Sequence, residues 1–302
     1  MRVIQLFQTV KNYTLIKQSP EQLRIKYLKK AQTCKIVRGE FGRYIENFIE
    51  TLVLKGGNFD FTYFFKNLKT LQVIVVPKLD GDTIGEYNIK ENVIYIDSRY
   101  IDRIEDIIYH ELFHMLSSTR KKDRCYSGLN NEGLFVSFNE GYTEVLTKRY
   151  FGDRSKMKAY TLERDFAELI EIVAGQAEME NLYSKIDYRG LLERLSMYGD
   201  MSELYIKIGG MNMVRKNCTS SNMDKCILLY KKSLLMVIEM FIKKCKKNSS
   251  SEEIIRFFQT MPVAFFWGSK RKYTLFTNEE FQEFVDRSRA ALHKHTLIYS
   301  MN

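Results

Sequence analysis

Over one stretch of this chain, between Leu71 and Asp97, the hydrophobic period is that of strands and not of helices. "LQVIVVPKL" (Leu71–Leu79) is dense in β-branched residues and predicts a buried-type strand. "GEYNIKENVIYID" (Gly85–Asp97) predicts a hairpin of two short strands around "KEN", the second of them alternating. On both sides the pattern is helical. "SPEQLRIKYLKK" opens a helix, with Ser19 as N-cap, Pro20 in the first turn and Gln22 closing a capping box. "SSNMDKCILLYKKSLLMVIEMFIKK" predicts a long helix, and "TNEEFQEFVDRSRAAL" starts another with a Thr277/Glu280 box. A sheet confined to about residues 71–97 among helices predicts an α+β fold. It also suggests three parts: a helical N-terminal segment (1–70), a core (71–155) and a mainly helical C-terminal subdomain (156–302) that completes a cleft. With 302 residues and 45% apolar composition, the chain can bury a substantial core.

Directly after the hairpin comes "DRIEDIIYHELFHMLSS". Asp102 and Glu105 are spaced as a capping box, and Ile104, Ile107, Ile108, Leu112, Met115 and Leu116 fall on one helical face. Helical geometry advances ~100° per residue, so His110 and His114 lie one turn apart on one face, where both imidazoles reach a single metal ion. Glu111 stands on the same flank, too displaced to share the metal but placed to take a proton from water. This is the chemical reason for H-E-x-x-H over two histidines alone.

A catalytic zinc site takes a third protein ligand and leaves a position for water. No histidine follows at short range, which excludes the HExxHxxGxxH arrangement, and His293 and His295 sit beside lysine near the C-terminus and are expected at the surface. A loop of about twenty residues, "STRKKDRCYSGLNNEGLFVSF", leads to a second helix, "NEGYTEVLTKRYF", in which Glu140 and Glu144 are again four apart and share a face.

HELFH followed at this distance by NEGYTE resembles the gluzincin group of zinc metallopeptidases, and also poorly characterised bacterial HExxH proteins. The similarity covers about residues 85–150. It implies a zincin-like fold, one zinc ion (Zn2+) held by His110, His114 and Glu140, and Glu111 as general base. It makes Glu144 the outer partner that orients His110, with Asn139 capping the helix and aiming Glu140. A peptide or protein substrate follows, paired in extended form along the edge strand "GEYNI". An oxyanion donor is not legible: Tyr160, Tyr183, Tyr188, Tyr198 and Tyr205 all follow the second helix, and none stands out.

The formal charge of +10 is spread over small groups such as "RIKYLKK", "TRKKDR" and "GSKRK", with no glycine–aromatic nucleic-acid signature, so no nucleic-acid partner is expected. "SLLMVIEMFI" is too short to span a bilayer and contains Glu239. No apolar leader with a cleavage site is evident, and five cysteines without a CxxC pair suggest a reduced, cytoplasmic setting. Two other readings stand beside a general peptidase. One is a regulatory protease acting on a single protein partner. The other is a catalytically inactive helical binding module with a vestigial metal site.

Overall fold

The computed structural model describes residues 18–130, 133–152, 161–217, 219, 221–247, 249–267 and 271–299. Three helices open it: α1 (Pro20–Gln32), α2 (Gly42–Leu54) and α3 (Thr62–Leu68). The Ser19/Gln22 box is formed as expected, with both reciprocal hydrogen bonds in place. Three strands follow, β1 (Gln72–Val76), β2 (Gly85–Asn88) and β3 (Val93–Asp97). Their order is β1-β3-β2, with β1 parallel and β2 antiparallel to β3. The hairpin is therefore where its pattern put it. β1 departs from the buried strand expected: it lies at the sheet edge, and Ile74 and Val75 are exposed. An apolar run specifies extended backbone, but not whether a second layer covers both faces.

The motif helix α4 spans Ile104–Leu116. The Asp102/Glu105 box does not form. Residues Ser98–Arg103 instead make a 3-10 turn whose cap is Asp97, and Arg103, at the N-cap position of α4, offers no side-chain bond. Its apolar face packs as predicted, and it is buried more widely than that face requires. Phe113 is fully enclosed, and Tyr109 stacks on Phe151 at a 3.9 Å ring separation. Phe48 of α2 meets Phe113 edge-on at 4.9 Å, and the Asn47 amide donates to the Tyr109 hydroxyl at 2.6 Å. Truncating one such enclosed ring costs about 3–5 kcal/mol. This aromatic back fixes the helix rotation, so the histidine face has one direction in which to point.

The expected long loop after α4 contains a second hairpin, β4 (Ser118–Lys121) and β5 (Arg124–Ser127), turned by Lys122 at φ +54°. It leads into α5 (Val136–Phe151), which begins earlier than Asn139. The remaining described chain is mainly helical: α6 (Thr161–Ala174), α7 (Gln176–Lys185), α8 (Tyr188–Ser196), α9 (Met201–Asn217), α10 (Met223–Cys245), α11 (Ser251–Thr260) and α12 (Asn278–Tyr299). A small hairpin, β6 (Ala264–Trp267) with β7 (Arg271–Thr274), interrupts it, so strands are not confined to 71–97. The Thr277/Glu280 box is present ahead of α12. The architecture is α+β, and buried residues from Ala31 to Ala291 form one continuous cluster. Among the described residues no helix is long and apolar enough to cross a membrane.

Candidate metal centre

α4 and α5 face each other, and the polar face of each meets in a cleft of about 330 Å³. Gly141 makes part of this possible. A Cβ there would lie 2.2 Å from the Glu163 carbonyl oxygen, so only glycine lets α6 press against α5 beside the candidate ligand. Within the cleft the His110 and His114 Nε2 atoms are 3.1 Å apart. The Glu140 Oε2 lies 3.5 Å from the first and 3.4 Å from the second. Ligands on a tetrahedron with metal bonds of about 2.0–2.1 Å are separated by ~3.3–3.4 Å. The three atoms thus already stand at the spacing one ion requires, and they can hold a metal.

Charge balance favours the same occupant. Burial opposes a charged His110 imidazole, but Glu140 and Glu144 outweigh it and push its pKa up to about 10. Burial would raise the Glu140 carboxyl, yet the His114 and His110 rings hold it well below the ordinary carboxylate range. A field that retains a proton so firmly equally favours a cation. On the far side of the first ring, His110 Nδ1 lies 3.4 Å from Glu144 Oε2, where the second acidic residue was expected. A carboxylate there turns the other ring nitrogen toward the ion.

Glu111 points into the same cleft from the flank of α4, 6% exposed, and burial raises its pKa. The backbone N–H of Tyr87 on β2 works against burial and favours the ionised form of this carboxylate. β2 reaches it because residue 85 is glycine: a Cβ there would sit 2.3 Å from Ile107 Cγ2 and 3.1 Å from Glu111 Oε1. Neither contact is visible in a sequence motif, although a glycine at a strand start marks close backbone approach as one of its few meanings.

Asn139 does not cap α5. It lies inside the first turns, and its side-chain oxygen accepts from the Leu129 N–H at 2.9 Å, tying the loop after β5 to the ligand helix. The N-terminal turn is left to Phe135, which offers no side-chain bond. Of the tyrosines, Tyr183 lies nearest in effect. Its enclosed hydroxyl is 2.8 Å from that of Thr143, and burial, first, with the charges of Glu140 and Glu111 raises its pKa. It braces α5 from beneath. Tyr198 is buried, Tyr188 and Tyr205 are half-buried, and Tyr160 lies outside the described residues. His293 is exposed on α12, and the His295 side chain lies outside the described ones.

Compared with known proteins, the chain matches no family model, no curated protein and no solved structure. The reading of this centre therefore rests on its own geometry.

Proposed function

We propose that this chain is a zinc-dependent metallopeptidase of gluzincin type, built on a zincin-like core. One observation carries the reading: the Glu140 carboxylate stands at ligand spacing from both imidazoles of the H-E-x-x-H helix while Glu111 faces the same cleft. Two imidazoles and a carboxylate are a donor set suited to zinc. A divalent ion held there supplies a Lewis acid that acidifies water and polarises a scissile carbonyl.

The chain's own residues do the rest. Glu111, with its raised pKa, accepts a proton as the water oxygen adds to the carbonyl carbon. It returns that proton to the amine nitrogen as the C–N bond breaks. The Tyr87 backbone N–H favours the ionised, proton-accepting form of Glu111. Glu144 keeps His110 turned toward the ligand position. β2 is an edge strand, and Gly85, Glu86, Tyr87 and Ile89 line the cleft, so an extended peptide can pair along it beside Glu111.

The test is Glu111→Gln assayed on a quenched-fluorescent peptide library. The metal content of the variant should match the parent while hydrolysis falls by a factor of about 10²–10⁴, the usual worth of a general base. A variant as active as its parent would remove Glu111 from the mechanism. A zinc-loaded parent that cleaves no peptide or protein would overturn the peptidase reading in favour of a silent binding module.

A further inference from the structure

A second cavity, of about 370 Å³, adjoins the metal cleft, and Asn130 lines both. The two lie on opposite faces of one strand: Ser127 of β5 lines the cleft and its neighbour Tyr126 lines the second cavity. The lining of this cavity is cationic. Lys121 and Arg124 come from β4 and β5, Lys185 from the end of α7 and Arg189 from the first turn of α8. No carboxylate belongs to it among the described residues. Two acidic residues adjoin the lining in sequence: Asp123, exposed in the β4–β5 turn and not part of the wall, and Asp187, which accepts from the Gly190 N–H at 2.9 Å as the cap of α8. Lys121 and Lys185 make no ion pair among the described residues.

A second observation points the same way. Thr119, 3% exposed, also lines the cavity, and its hydroxyl oxygen has no hydrogen-bond partner among the described residues. A buried hydroxyl is nearly always partnered, so this one is a donor left for something that enters. Four cations converging on a concave wall that also holds an unpaired hydroxyl have the chemistry of a carboxylate-binding site. Tyr126 and Tyr188 add phenol groups to the same wall.

We propose that this cavity binds the carboxylate side chains of an acidic peptide segment, and that it makes acidic peptides the substrates drawn into the adjoining cleft. The second half of this statement rests on the peptidase reading, and the first does not. Short fluorescein-labelled peptides, one glutamate-rich and one with glutamine in place of each glutamate, are titrated into the zinc-loaded full chain carrying Glu111→Gln. The glutamate peptide should bind more tightly, and Lys121→Glu or Lys185→Glu should each weaken it about fivefold or more, the equivalent of one partly exposed ion pair. Both lysines are exposed, so neither change threatens folding. Reversing Lys225 and Lys232, exposed on α10, should leave the affinity unchanged and so separates the cavity from net charge.

Equal affinity for the two peptides, or an equal loss in the α10 control, overturns the proposal. Hydrolysis by the chain with native Glu111 is scored separately. Selective binding without cleavage keeps the anion site and sinks the peptidase reading, while cleavage indifferent to glutamate keeps the peptidase reading and overturns the cavity's role in selecting substrates.

Discussion

Replacing Gly85 by alanine tests whether β2 truly rests on the motif helix. The added Cβ would meet Ile107 Cγ2 at 2.3 Å, more than 1 Å inside the ~3.5–4.0 Å of an ordinary carbon contact. Ile107 is 3% exposed and cannot swing into solvent. Such overpacking costs about 1–3 kcal/mol, and the alanine's lower unfolded-state entropy returns only about 0.4–1 kcal/mol. A net loss of about 1–2 kcal/mol in urea unfolding is expected. The clash has one named partner, so the double variant Gly85→Ala/Ile107→Ala should lose less than the sum of its parts, by about 1–2 kcal/mol. The Cβ would also crowd Glu111 Oε1 at 3.1 Å, so hydrolysis should stay depressed in the double variant while metal content is unchanged. An unaltered unfolding free energy for Gly85→Ala, or strict additivity with Ile107→Ala, would refute the close approach of strand and helix.

Three further outcomes are expected. Glu144→Gln should weaken zinc binding by about 10–100-fold in a chelator competition, since the carboxylate facing His110 Nδ1 is lost while the three ligands remain. Arg149→Met should lower stability by about 2–3 kcal/mol in denaturant titration, because the enclosed Glu171 and Glu180 both lose that guanidinium, leaving Glu171 to Arg256 and the Tyr142 hydroxyl and Glu180 to neutral donors. Asp97 is held well below its usual pKa, first by Arg99 and, against the opposing effect of burial, by the N–H groups of Leu79 and Arg99. A depressed folded-state pKa stabilises above the unfolded value of about 4 and is lost as pH falls below it. Thermal melts of Asp97→Asn should therefore flatten on the acid side relative to the parent, and parallel acid limbs would contradict the assignment.

Each local feature read from the chain had its cause within about one helical turn. The Ser19 and Thr277 boxes form because cap and partner are three residues apart. The Asp102/Glu105 pair has the same spacing and fails. Tertiary demand wins there: the buried Asp97 carboxylate closes a 3-10 turn on Arg99 first and pushes the helix start to Ile104. Asn139 has a cap's chemistry but is spent on Leu129, a partner that depends on where β5 ends. The β4–β5 hairpin was missed because its turn is Lys122–Asp123, without the glycine or asparagine that usually marks one.

The amino-acid order alone determined that His110, Glu111 and His114 would share a helix flank, since a fixed rotation per residue needs no help from the rest of the molecule. Only the tertiary structure decided that the carboxylate of Glu140 would come within 3.5 Å of both rings, that Gly85 would let β2 touch Glu111, and that Lys121 and Lys185 would border one cavity. Those distances come from how helices pack on an aromatic core, an outcome of shape summed over many distant side chains. No short stretch of sequence carries it.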